Sequence, residues 1–234
     1  MKKAPATNVK KSEETRTRIL EAALKLFRER GFENTTMRDI AKEAGMALGA
    51  AYYYFDSKDA LVLGFYERSQ TELTPLREKA LSKTTGLEQR LHAVIAAKLQ
   101  YFAPHRKLLA ALSVHIDPQH PLSPFSAATS GIREPDIASF GKAIEGSRIR
   151  VPEDLQLHLP RVLWLYQMGI LLFWIYDTSP GQTRTHQLFE KSLSIVVSLI
   201  KFSSLPLLRP VRKIATDLLE IVYDKEEALA GATP

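Results

Sequence analysis

Cysteine is absent from the 234 residues. That excludes disulfides, thiolate metal sites and a cysteine nucleophile, and it permits a reducing compartment. The chain also lacks any convincing alternation of apolar and polar residues. Neither Asn-Gly nor Asp-Gly occurs, so nothing signals strands or hairpins. Long hydrophobic runs are missing too. The most apolar stretch, 162–176, is short for a membrane span and contains Gln167 and Gly169. It reads as a buried helix or a subunit interface. No apolar run follows the basic N-terminus, so a signal peptide is not expected and the chain is assigned to the cytoplasm, with no membrane partner. Ser-His-Asp order, a phosphate loop and a cofactor fingerprint are all wanting. His92, His105, His115 and His120 have no metal-ligand spacing and no supporting carboxylate pair. No enzyme activity, cofactor or metal is therefore expected.

What is present is positive charge and helical periodicity. The formal net charge is +6, which favours a polyanion as partner. Lys2, Lys3, Lys10 and Lys11 precede the first acid, Glu13. Residues 1–12 thus read as a basic flexible arm, either lying along phosphates or simply solvated.

Apolar residues recur at helical steps through most of the chain. Ile19, Ala22, Ala23, Leu26 and Phe27 form one stripe of a first helix over 13–30, closed by Gly31. A second helix starts near Thr35 or Thr36, with Thr35 a plausible N-cap, and stops at Ala44 before Gly45. After a tight turn comes a short third helix, 48–54. Ser57 is placed to cap a fourth, which runs to about Thr71, with Pro75 expected to kink or end it. Further helices are predicted over 87–102, 107–116, 135–147, 153–176, 183–203 and 211–223. Pro118, Pro121 and Pro124 enforce a loop over 117–125. Pro160 predicts a kink or a start within 153–176.

A Gly turn between two helices is common, but the residues after it are specific: Gly45-Met46-Ala47-Leu48-Gly49-Ala50-Ala51-Tyr52-Tyr53-Tyr54-Phe55-Asp56-Ser57-Lys58. Gly45 gives the turn its backbone freedom. Gly49, Ala50 and Ala51 keep the helix slim enough for its backbone to sit deep in a major groove. Tyrosine hydroxyls donate to phosphate, and their rings pack on thymine methyls.

Residues 15–61 resemble the TetR family of bacterial regulators. Arg18 through Phe27 with Gly31-Phe32 resembles that family's first helix, and Thr35 through Ala41 its second. The Gly turn, Tyr52, Tyr54-Phe55, Lys58 and Leu61 resemble its third and the start of its fourth. The resemblance implies that Thr36, Tyr52 and Lys58 contact phosphate and that Arg38 reaches a guanine edge or a phosphate. It further implies that Gly49, Ala50, Tyr53 and Tyr54 lie at the groove. One departure stands out. Ala47-Leu48 replaces the polar residue common after the turn, so helix three lacks a side-chain cap.

The expected architecture is all-α. A three-helix helix-turn-helix DNA-binding domain spans 13–60, and a helical ligand-binding and dimerisation domain spans 61–223. A flexible tail covers 224–234. In the resembling family two long core helices pair with those of a second copy. Here Leu163, Tyr166, Ile170, Phe173, Leu193, Val196, Val197 and Ile200 are the interface candidates. Tyr101, Phe102, Leu112, Ile116, Phe125, Phe140 and Trp164 are candidates to line an apolar effector pocket. The functional expectation is a homodimer on a palindromic double-stranded DNA operator, a repressor released by a small apolar or aromatic molecule. The competing classes are an enzyme on a helical scaffold and a helical lipid-binding or scaffold protein. The first lacks a catalytic motif, and the second leaves the tyrosine cluster unexplained.

Overall fold

A computed structural model describes residues 6–230, with side chains for residues 10–221. Lys2 and Lys3 of the expected arm, and 231–234 of the expected tail, lie outside the described residues, while 224–230 of that tail are helical and continue the last helix. All regular elements among the described residues are helical, as the periodicity predicts. They are α1 (Ala6–Arg30), α2 (Met37–Glu43), α3 (Leu48–Tyr54), α4 (Lys58–Leu81), α5 (Leu87–Phe102), α6 (Arg106–Leu112), α7 (Ser130–Glu145), α8 (Glu153–Gln156), α9 (Leu159–Tyr176), α10 (Thr183–Phe202) and α11 (Arg209–Ala230). The chain forms two compact units, residues up to 69 with 102–129, and 70–101 with the described residues from 130 onward.

This division differs from the expected boundary at residue 60. Leu61, Val62 and Phe65 are fully buried on α4, so the first unit keeps that helix's opening turns. Phe102 meets Phe65 edge to face, with ring centroids 5.6 Å apart, and α6 packs on α1. Residues 102–129 therefore belong with the helix-turn-helix. The loop after α6 is knitted by hydroxyls. Ser123 donates to the Ile116 carbonyl at 3.0 Å, and Ser126 to Pro121 at 3.1 Å. Thr129 donates to Ser123 at 2.7 Å. Ser123, Ser126 and Thr129 are all buried. Prolines exclude helix here, and side-chain hydroxyls satisfy the backbone acceptors instead.

Several helix ends also move. Helix α1 begins at Ala6 rather than residue 13, so the part of the basic segment from Ala6 on is helical rather than an arm. Its Lys- and Glu-rich start has adequate helix propensity even without an apolar stripe. Pro75 neither kinks α4 into two elements nor ends it. It forfeits one backbone bond, while Leu73 and Arg77 on either side are fully buried and hold the helix together. Pro135 likewise falls in the second turn of α7 instead of opening it, whereas Pro160 does sit at the start of α9.

In the second unit α7 packs against α9, and α9 against α10, around Phe140, Leu163, Trp164, Ile170, Trp174, Phe189, Leu193 and Val197. One guanidinium closes two helix ends. Buried Arg90 donates to Leu81 and Thr84 at 2.6 and 2.7 Å, and to Ala143 and Lys142 at 2.8 and 2.9 Å. The Leu81 and Ala143 carbonyls belong to the last turns of α4 and α7, where helical partners run out. A β-carbon at Gly146 would lie 2.1 Å from this guanidinium, so a larger residue there would displace Arg90 from these bonds. Of the described helices, α9 has the length and hydropathy of a membrane span. Its Gln167 is buried and donates to Asp136 at 2.9 Å, as fits a core helix.

Candidate nucleic-acid interface

The first unit holds α2 and α3 at the geometry set by a glycine. Gly45 has φ +66°, and the following Met46 amide returns to the Ala41 carbonyl at 2.9 Å. Glycine takes this left-handed conformation without a Cβ penalty. Helix α2 is capped by Thr36, not by Thr35 as expected. Thr36 Oγ1 accepts from the Asp39 amide, while Asp39 Oδ2 accepts from the Thr36 amide and hydroxyl, a reciprocal capping box. Those bonds hold the Asp39 carboxyl below its ordinary pKa. Thr35 instead donates its hydroxyl to Gly31 at 2.8 Å and is buried. Helix α3 has no side-chain cap at Ala47, in line with the Ala47-Leu48 departure. Ser57 does cap α4, accepting from the Ala60 amide at 3.1 Å.

Burial then sorts the candidate residues. Ile40, Ala41, Ala51 and Phe55 point inward. Thr36, Arg38, Gly49, Tyr52 and Tyr53 are exposed, and Ala50 and Tyr54 are half-buried. Tyr53 is 83% exposed and meets Tyr54 edge to face at 5.2 Å. Tyr52 and Tyr53 thus stand side by side on the outer face of α3. Phe55 anchors α3 from beneath, with its ring against α4 at Gly64, where a β-carbon would come within 3.0 Å. Arg16 lies over the other part of that anchor, 4.9 Å from the ring centroid.

Lys58 is engaged inside the unit. Its Nζ donates to the Phe32 carbonyl at 2.8 Å and sits 4.4 Å from the Phe32 ring centroid. The expected phosphate anchor thus ties α4 to the end of α1. Sequence reading also missed Lys42, an exposed cation on α2. Its position at the C-terminal end of α2, five residues after Met37 and just before the turn, was the available signal.

The interface and pocket candidates divide differently. Leu163, Ile170, Leu193, Val197 and Ile200 are buried within the protomer, which corrects their assignment to a subunit interface. They fill the contacts between α9, α10 and α7. Tyr166 and Val196 are half-buried, Tyr166 bonding Ser192 at 2.7 Å, and Phe173 is exposed. The outward stripe instead comprises Leu165, Leu172, Phe173 and Tyr176 on α9, and Leu188, Ile195, Leu199 and Phe202 on α10. Of the pocket candidates, Phe102, Leu112, Ile116 and Phe125 fall in the first unit, and Tyr101, Phe140 and Trp164 in the second. Phe102, Leu112 and Phe140 are packed core, and Ile116 is 60% exposed. Within the second unit a cleft of about 360 Å³ is lined by polar and apolar groups including Glu88, Arg148, Ile149 and Lys201. Among the described residues no three His, Cys, Asp or Glu side chains converge as metal ligands.

The exposed α2–α3 surface and the helical second unit have counterparts. Residues 19–64 match the family model "Bacterial regulatory proteins, tetR family", and residues 90–218 match "Tetracyclin repressor-like, C-terminal domain". The chain belongs to the TetR family. Its relatives in that family include the HTH-type transcriptional regulator YuxN of Bacillus subtilis (strain 168), 38% identical over 77 residues, which are 31% of this chain and 26% of YuxN. HbdR of Aromatoleum sp. (strain CIB), another HTH-type transcriptional regulator, is 43% identical over 101 residues, 40% of this chain and 42% of HbdR. The chain spans about a quarter to a half of the length of the curated relatives it matches. Among solved structures, Salmonella enterica GusR superposes with a TM-score of 0.60 at 24% identity, covering 80% of this chain and 96% of that one. Thermus thermophilus FadR, solved as a TetR-family repressor with lauroyl-CoA, gives a TM-score of 0.59 at 23% identity, over 81% and 95% of the two chains. These likenesses establish a shared TetR-type fold.

Proposed function

We propose that this TetR-family member is a homodimeric, effector-responsive transcriptional repressor that reads a palindromic operator through α2 and α3. The observation that carries the reading is the exposed α3 face, where Gly49, Tyr52 and Tyr53 stand clear of the core beside exposed Arg38 and Lys42 on α2. A slim helix rimmed by hydroxyls and cations suits a major groove and its phosphate walls. Thr36, Tyr52 and Tyr54 contact phosphate or the groove wall, and Arg38, Gly49, Ala50 and Tyr53 face bases. Lys58 acts by holding α4, with its Phe32 bond intact, so that the reading helix is presented rigidly.

Dimerisation is supported by the outward apolar stripes of α9 and α10. Gly169 lies exposed between Leu165 and Leu172, and a β-carbon there would meet nothing within 4 Å. It serves as a slim point at which a partner helix comes close. Helix α11 adds Val211, Ile214, Leu218 and Ile221, exposed at three- and four-residue steps, a spacing that fits helix–helix seams. Two heads then need centres about 34–36 Å apart, or a multiple, to occupy one face of B-DNA. An effector in the second unit releases the operator by binding better to a dimer with a different head spacing. The fatty-acyl-CoA complex of the FadR structure is a precedent for a ligand in this fold.

A mobility-shift assay with DNA from upstream of the gene tests the reading. The wild-type protein should shift a discrete fragment and compete poorly with unrelated DNA. Arg38→Ala should weaken the specific complex by about 1–3 kcal/mol and relax preference at one base pair in a selected-site profile. No shift with any upstream fragment, or an unchanged profile for Arg38→Ala, contradicts it.

A further inference from the structure

The second unit buries an unbalanced set of charges. Asp136 and Arg77 are 1% exposed, and Lys98 8%. Arg77 Nη2 donates to Asp136 Oδ1 at 2.5 Å, and Lys98 Nζ donates to Asp136 Oδ2. Gln167 Nε2 also donates to Oδ2, at 2.9 Å. The charges acting on Asp136 are those of Lys98 and Arg77. Two cations therefore face one carboxylate in the buried interior. Burial pushes the Lys98 ammonium below its ordinary pKa against the pull of Asp136. Burial also opposes the charge on Asp136, but Lys98 and Arg77 outweigh it and keep the carboxyl ionised.

Two atoms in this set are shielded from solvent and have no hydrogen-bond partner, Arg77 Nε and Gln167 Oε1. The other Arg77 nitrogen, Nη1, reaches Gln70 and Ser139 at 3.3 and 3.4 Å. The fork formed by Nε and Nη2 matches a carboxylate with two parallel bonds. Asp136 uses only the Nη2 side of that fork. A buried donor left unmade, next to an uncompensated positive charge, is a costly arrangement for a purely structural ion cluster. It becomes favourable when an anion completes it.

We infer that Arg77, Lys98 and Gln167 form the head-group site for a small organic monocarboxylate, the effector class of this regulator. The inference rests on the reading of the second unit as the effector-binding part. The ligand carboxylate accepts from Arg77 Nε and shares the surplus charge of Lys98, while Gln167 Oε1 accepts from a hydroxyl or amide next to it. Asp136 holds the cations in register when the ligand is absent. The setting suits an apolar body on that acid. Leu73, Val94, Phe140, Trp164 and Leu171 are buried and lie three or four residues along a helix from Arg77, Lys98, Asp136 and Gln167, hence on the same helix faces.

Isothermal titration of the full chain with phenylacetate and decanoate, each against its primary amide, tests this. At least one acid should bind at one per chain, ten-fold or more tighter than its amide. Lys98→Met leaves a neutral Arg77–Asp136 pair and should weaken that acid at least ten-fold. Asp136→Asn raises the surplus charge and should tighten it by a similar factor. Circular dichroism melts identify any variant that does not fold. Should Asp136→Asn be such a variant, Lys98→Met decides. Binding of neither acid, equal binding of acid and amide, or an unchanged affinity in folded Lys98→Met overturns the inference. A mobility shift on the same samples separates the two readings. DNA binding without acid binding sinks this inference alone, and acid binding without DNA binding sinks the repressor reading and leaves the site standing.

Discussion

Gly49 carries no side chain in a helix where most residues would raise stability, and a β-carbon there would touch no atom of the protein. Nothing inside the fold requires glycine, and under the proposed function the open space is where a duplex backbone approaches α3. Gly49→Leu should therefore leave the unfolding midpoint unchanged or raise stability by up to about 1 kcal/mol, while DNA affinity falls at least ten-fold. Full retention of operator binding by that variant contradicts the groove placement of α3. Asp177 makes a different residue-scale point. Burial alone would raise its pKa, but donors from Ser179 and Thr185 outweigh it, four bonds of 2.7–2.9 Å in all, and hold the carboxyl well below the usual range. A depressed folded-state pKa contributes stability that is complete above the unfolded value and fades as pH falls toward the folded one. In urea melts, Asp177→Asn should be less stable than wild type at pH 7. The gap should narrow steadily below about pH 4, the unfolded carboxylate range. A gap that widens in acid would mean the sign is wrong.

At the scale of elements, α9 and α10 each have an inward and an outward apolar side. Leu163, Leu193 and Val197 serve the protomer, and Leu172, Ile195 and Leu199 stand exposed. Leu199→Glu should raise the dimer dissociation constant about a hundred-fold or more, roughly 3 kcal/mol, by stranding a carboxylate in a dry interface. Sedimentation equilibrium reads this directly, and an unchanged association state removes α10 from the interface. The same helices show where sequence reading ran out. Periodicity fixed that α9 and α10 are helices, because apolar residues recurred every three or four positions. It did not separate the two apolar sides, since Leu193 and Ile195 look equally hydrophobic in one dimension. The helix-turn-helix was legible because its signals are local: Gly31, Gly45, Ser57 and the tyrosine run lie within a few residues of the structure they set. The Arg77–Lys98–Asp136–Gln167 cluster draws on four helices separated by up to 90 residues. In sequence Gln167 registered only as a polar interruption. Thr35 was read as the cap of α2 where Thr36 performs that role, and the three-residue spacing from Thr36 to Asp39 was the available signal.

For the whole molecule, the proposed function divides the work between the exposed α2–α3 face of the first unit and the helical second unit with its unbalanced buried charge. The central claim is that the α2–α3 face engages duplex DNA through phosphates as well as bases. Fluorescence anisotropy of a labelled upstream fragment, titrated between about 50 and 200 mM salt, tests it most directly. With four to six phosphates neutralised per dimer, log affinity should fall linearly with log salt at a slope of about −4 to −5. A response that stays flat across that range would contradict the claim, because a surface that displaces no counterions is not seated on a nucleic-acid backbone.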